Sequence, residues 1–292
     1  MKLFAGLEEI VKCDESLAPH TWFKLGGPAK YFIGPRTVEE LQDVVRRCRE
    51  NEVPVYVLGG GANLLIDDAG VKGAVIHLGQ GSFKEMVTTE VGMRAGAGAD
   101  MLKLVLRCVR EGLSGLECLT GIPGTVGGCV RMNAGGAFGD IGNTIETVQV
   151  MTMDGEIFTR FRDDLAFAYR STNITSKFIL SAEFRLTPDD PHRILKQVKQ
   201  IWIYKKNTQP LGQRNAGCIF KNPRGMSAGA LIDQAGLKGK VIGGAHVSDK
   251  HANFIIAGPG CTASDVLKLI NLIRETVYKK HEVYLELELE VW

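Results

Sequence analysis

Two glycine runs could do chemistry with main chain alone: Gly59-Gly-Gly-Ala-Asn-Leu-Leu65, and the stretch from Gly121 to Gly139. Successive N–H groups in such loops form concave nests that take phosphate oxygens without a charged side chain. The same residues also read as a pair of tight turns, and the pattern leaves both possibilities open. Gly59 to Leu64 lacks the third glycine of GxGxxG, as does Gly96-Ala-Gly-Ala-Asp-Met101, so a doubly wound dinucleotide fold is not indicated. No GxxxxGK[ST] is present, which excludes a P-loop. Among reactive side chains, the seven cysteines (13, 48, 108, 118, 129, 218 and 261) are odd in number and form no CxxC. That argues against a disulfide framework or zinc ribbon and suits a reducing compartment. His20, His246 and His251 are not at metal-ligand spacing, and no metal is expected.

The elements that must position these loops can be read from local pattern. Thr37-Val-Glu-Glu40 predicts a capped helix to about Arg49, with Leu41, Val44, Val45 and Cys48 on one face. Apolar strands are expected at Val53 to Leu58 and Gly73 to Leu78. Asp100 opens a helix that Gly112 ends, and Cys108 joins Cys48 as a core residue. A hairpin turns at Asp154-Gly155, and a strand runs from Phe178 to Leu186. Thr187-Pro-Asp-Asp-Pro191 is the expected boundary between a domain over 1–188 and a smaller one over 189–292. Helices follow at 193–206, 227–234 and 262–280, with a strand at 253–257. A last strand, Val283 to Val291, alternates apolar and polar residues strictly. Trp22 is expected in the core of the first subdomain. Helices and strands mix without a βαβ rhythm, so the fold class is α+β.

Composition narrows the function. The 292 residues are 45% apolar and 23% charged, ordinary for a globular chain, with 35 glycines as the one excess. Lys+Arg 35 against Asp+Glu 33 gives +2, which with 7% aromatic residues argues against nucleic acid or an anionic membrane as partner. No apolar run approaches the ~20 residues of a membrane span, and the first residues are too short for a signal segment. A cytoplasmic chain is expected.

Val57-Leu-Gly-Gly-Gly-Ala-Asn-Leu-Leu65 resembles the diphosphate loop of flavoproteins related to vanillyl-alcohol oxidase. Gly121-Ile-Pro-Gly-Thr-Val-Gly-Gly128 and Asn133-Ala-Gly-Gly-Ala-Phe-Gly139 resemble the UDP-N-acetylenolpyruvoylglucosamine reductases, flavoenzymes of peptidoglycan synthesis. Phe167-Ala-Tyr-Arg-Ser171, Asn215-Ala-Gly-Cys-Ile-Phe-Lys-Asn-Pro223 and Leu285-Glu-Leu-Glu288 agree, in that family's order and spacing. Gly243 to Ser248 and His251 to Phe254 resemble its shorter form, which lacks a substrate-covering tyrosine loop. The resemblance implies a PCMH-type FAD-binding domain of two subdomains followed by an α+β substrate domain. It also implies non-covalent FAD, NADPH as reductant, and the enolpyruvyl ether of UDP-N-acetylglucosamine as substrate of a monomeric enzyme. The rival readings are another FAD oxidoreductase of the same fold and a non-catalytic flavin-binding module.

The matched residues carry implied roles. Gly59, Gly60, Gly61, Ala62, Asn63 and Leu64 would meet the cofactor, with Pro123, Gly124, Thr125, Val126, Gly127 and Gly128, then Asn133, Ala134 and Gly135. Cys129 lies in the same region. Hydride addition pushes electrons into the substrate carboxylate, and Arg170 would stabilise the resulting enediolate with a planar fork of donors. Glu288 would donate a hydrogen bond to it if protonated, or orient Arg170; in the pattern alone it is one of three glutamates on an exposed face. Cys218 stands where the family usually has serine, the proton donor to C2. A free thiol, with a pKa of about 8.5, can do that work at the cost of oxidation; the alternative is that it packs as a small hydrophobe. Tyr169 would lie near substrate and nicotinamide. Lys221 and Asn222 would bind the UDP-sugar, since an ammonium and an amide suit a diphosphate and a uracil edge.

Overall fold

Helix boundaries follow local caps closely. The structure, a computed structural model, describes residues 2–292. In α1 (Val38–Glu50) the Thr37 hydroxyl accepts from the Glu40 N–H, while the Glu40 carboxylate reaches back to the Arg36 N–H at 2.7 Å. The helix buries Leu41, Val44, Val45 and Cys48, the face its periodicity marks. Asp100 caps α2 (Met101–Glu111), and Gly112 closes it in the left-handed conformation at φ +68°. Thr125 caps the short α3 (Val126–Arg131).

Main-chain contacts divide the molecule into two compact units, neither contiguous in sequence. The first comprises residues 1–14, 30–60 and 72–204; the second comprises 15–29, 61–71 and 205–292. The last passage from the first unit to the second falls after Tyr204, inside α4 (Pro191–Thr208). The first unit carries a four-stranded sheet in the order Val11–Ser16, Pro28–Ile33, Val71–His77, Val55–Leu58, the last two parallel. Its second sheet is antiparallel, in the order Ile157–Phe161, Ile145–Met151, Phe178–Arg185, Gly92–Gly96, Met86–Thr89. One apolar cluster, including Phe83, Met93, Leu104, Val126, Phe178 and Phe184, underlies both sheets.

The second unit packs α5 (Ala228–Gln234) and α6 (Ala263–His281) with a small sheet of Val241–Ile242, Ala245–Val247 and Ile255–Ala257. Its core joins Phe23 and Leu65 to Ile219, Phe220, Leu269, Leu285 and Leu289. Trp22 is 44% exposed, contrary to expectation. Thr21 and Phe23 take the buried positions on either side, and Phe23 fills the core of the second unit. The expected strand at 283–291 contracts to Glu290–Val291, parallel to Leu64–Leu65, plus a single bridge between Leu287 and Phe220. Alternation persists where it matters, with Leu285 and Leu289 buried, but the Leu285 carbonyl is taken by the Arg274 guanidinium and not by a strand. Among the described residues no helix is long and apolar enough to cross a membrane, and no group of three His, Cys, Asp or Glu is placed to hold a metal.

Candidate active site

The two glycine runs meet main chain to main chain. In the first unit a Cβ on Gly60 would lie 2.8 Å from the Gly124 Cα, and one on Gly59 would lie 2.8 Å from the Thr125 hydroxyl. Gly61, in the second unit, sits at φ +61°, where a Cβ would meet the His20 carbonyl at 2.2 Å. Glycine is required here by both sterics and backbone conformation.

Beside this approach the first unit holds a cleft of about 110 Å³, lined by Gly59, Gly98, Thr125, Gly127, Gly128 and apolar Val57, Leu58, Leu78 and Ile179. Arg131 and Lys177 complete its wall with His77, and no carboxylate lines it. Glycine main chain, apolar walls and uncompensated positive charge fit a dinucleotide with a diphosphate centre, so FAD suits the residues present. Not every matched residue faces the cleft by its side chain. Val126 and Leu64 are core residues, and Cys129 is buried in the first unit's apolar cluster. Ala134 packs against that cluster.

Asn133 is bonded to main chain at both ends of its side-chain amide. It is buried at φ +42°, its amide donates to the Ala168 carbonyl at 2.8 Å, and its carbonyl oxygen accepts from the Gly142 N–H. It thereby clamps the two-strand hairpin Phe167–Ala168 and Ser171–Thr172, whose turn is Tyr169-Arg170. Arg170 sits in that turn at φ +53°, an unusual conformation for a residue with a Cβ. Its Nη2 donates to the Gly135 carbonyl at 2.9 Å, Nη1 lies 3.6 Å from Asp140, and its guanidinium stands 5.0 Å from the Tyr169 ring centroid. Tyr169 itself is half exposed.

In the second unit the segments carrying Cys218 and Glu288 run side by side. The Glu288 N–H donates to the Ile219 carbonyl at 2.9 Å, and the Lys221 N–H donates to the Glu286 carbonyl at 2.8 Å. Cys218 is thus the neighbour of the residue that Glu288 holds, and its thiol is half buried. On the other side Asn253, 2% exposed, brackets Phe220: its Oδ1 accepts from the Phe220 N–H and its Nδ2 donates to the Phe220 carbonyl. Asn63 donates through Nδ2 to the Glu288 carbonyl at 2.8 Å, and its own carbonyl accepts from the Glu290 N–H. Glu288 is half buried, whereas Glu286 and Glu290 are exposed, which separates it from its neighbours as sequence pattern could not. Lys221 pairs with Glu286 at 2.5 Å, and the Asn222 side chain accepts from the Ala228 N–H at the start of α5.

Sequence reasoning missed Arg131, Lys177, Asn253 and the clamping work of Asn63 and Asn133. A signal existed for one of them: Arg131 is the only cation between Gly121 and Gly142. Asparagines that bond main chain leave no periodic trace.

The fold and the cleft define an FAD-binding α+β flavoprotein, and residues 29–160 match the FAD binding domain model. Residues 209–292 match that of the UDP-N-acetylenolpyruvoylglucosamine reductase C-terminal domain. The chain belongs to the UDP-N-acetylenolpyruvoylglucosamine reductase family. It is 38% identical to the reductase of that name from Listeria monocytogenes serovar 1/2a, over 96% of this chain and 94% of that protein. The one from Syntrophobacter fumaroxidans is 41% identical over 96% and 83%. The crystal structure of UDP-N-acetylenolpyruvylglucosamine reductase from Thermus caldophilus superposes with a TM-score of 0.83 at 38% identity, covering 95% of this chain and 97% of that one. A glucose dehydrogenase, Phl p 4.0202, shares the fold alone, with a TM-score of 0.51 at 15% identity over 65% of this chain and 45% of that one.

Proposed function

We propose that this protein reduces the enolpyruvyl ether of UDP-N-acetylglucosamine to UDP-N-acetylmuramate, a step of peptidoglycan synthesis, using NADPH and non-covalent FAD. The observation that carries the reading is the match to a reductase of that name along 96% of the chain. When bound and reduced by NADPH, FAD supplies hydride from N5 to C3 of the enolpyruvyl group. Arg170 faces the carboxylate charge that develops as C3 is saturated; Asn133 pins its turn at Ala168 and its own guanidinium is held on the Gly135 carbonyl, which limits reorganisation at the moment of reaction. Cys218 gives its thiol proton to C2. Glu288, held by Asn63 and Ile219, donates a hydrogen bond to the enediolate in its protonated form. Tyr169 borders the substrate. Lys221 exchanges Glu286 for the substrate diphosphate, and Asn222 reads the uracil edge.

In this proposal residues 1–188 serve the flavin and 189–292 the UDP-sugar. The protein is the short form of its family, without the tyrosine loop. It works as a cytoplasmic monomer, with neither nucleic acid nor membrane as partner; the net charge of +2 supports a small-molecule partner.

The test follows flavin absorbance in two half-reactions. The purified chain is yellow, bleaches with NADPH and recovers with the enolpyruvyl substrate. Cys218→Ser keeps substantial activity, whereas Cys218→Ala bleaches normally and recovers slowly, by about 10²-fold or more for loss of a general acid. Normal recovery in Cys218→Ala removes the thiol from the mechanism. A chain that FAD cannot colour removes the proposal.

A further inference from the structure

Arg131 ends α3 on the wall of the cleft. Its guanidinium donates to three main-chain carbonyls, those of Ile174, Ser176 (2.5 Å) and Lys177 (3.2 Å). Those bonds leave two of the five guanidinium N–H groups for a further acceptor. Among the described residues no carboxylate pairs with it. Burial holds its pKa below the ordinary arginine value. A half-buried cation satisfied only by neutral dipoles keeps its net charge, and a buried charge without a counter-ion is costly. The cleft beside it has the opposite need: it contains no acid, a second cation at Lys177, and glycine main chain at Gly59, Gly127 and Gly128.

We propose that Arg131, with Lys177 in support, is the counter-charge for the diphosphate of the dinucleotide bound in this cleft. The inference rests on the flavin reading above and adds to it a specific side chain. The three carbonyls orient the fork in advance, so little freedom is lost when the anion arrives. The rival role is structural: Arg131 could serve only to pin the segment from Ile174 to Lys177.

Binding measurements on the full chain, freed of flavin, separate the two. FAD is titrated by quenching of its fluorescence, ADP is used as a competitor, and both are measured at low and high salt. Arg131→Met raises the FAD and ADP dissociation constants together, by about tenfold or more, as expected for loss of a charge-assisted contact to phosphate. It also flattens the salt dependence, because one screened charge pair is gone. Arg131→Lys recovers most of the loss. Lys177→Met, an exposed side chain without a role in pinning the segment, moves both constants in the same direction by a smaller factor. If Arg131→Met weakens FAD but leaves ADP and the salt slope unchanged, Arg131 only pins the segment and the inference is overturned. An unchanged FAD constant overturns it as well. A wild-type chain that binds neither FAD nor ADP overturns the flavin reading itself.

Discussion

Burial sorts the thiols of this chain into inert and available ones. Cys48 on α1 and Cys108 on α2 are buried, and desolvation pushes their thiols up to about 11 and about 12. The reactive thiolate is then a minute fraction at neutral pH. Brief alkylation of the native protein at about pH 8 should modify exposed Cys13 and spare Cys48 and Cys108 until denaturant is added. Peptide mass spectrometry reads this directly, and early labelling of Cys108 would contradict it. The core role of both thiols was legible because helix periodicity reports burial. The setting of Arg170 was not, since a left-handed φ in a two-residue turn leaves no mark when the residue is not glycine. That conformation costs roughly 1 kcal/mol or more, and the Asn133 clamp holds the hairpin that bears it.

At the scale of elements, the approach of two loops is the feature least tolerant of change. Gly60→Ala would drive a methyl against the Gly124 main chain, which has no flexible end to yield. Overpacking of this kind costs about 1–3 kcal/mol. The expected outcome is a lower melting temperature and weaker FAD retention. Gly136→Ala, where a Cβ meets nothing within 4 Å, should be neutral by comparison. Equal melting of the two variants would show that the loops part freely. Caps at Thr37 and Asp100 were readable because a cap is a contract among four adjacent residues. The last strand was over-read for the opposite reason: alternation reports which side is buried, not whether a neighbouring strand exists, and here only Leu287 and Glu290–Val291 find one.

For the whole molecule, acid should reach the site through His251. Burial and the charge of Lys238 hold its imidazole below the ordinary value. Above about pH 6.5 the ring is neutral whether the chain is folded or not and contributes nothing. As pH falls below that, the unfolded chain takes up a proton that the native one resists, so stability is lost toward acid. The His251 Nδ1 accepts from the Asn253 N–H, and Asn253 brackets the segment beside Cys218, so the loss is local to that segment. His251→Gln should flatten the fall in melting temperature between about pH 7 and pH 5.5; an unchanged slope would place the sensitivity elsewhere. Family membership was readable from loops scattered along the chain, but the part that two early segments play in the second unit was not. Residues 15–29 and 61–71 join the second unit through partners far downstream, and no local pattern announces such a visit. Asn63 illustrates the consequence for a polypeptide that emerges from the ribosome in order. Its amide must wait for an acceptor 225 residues later. Until residues 290 and 291 have been made, the early strand Leu64–Leu65 lacks the parallel partner that covers its edge.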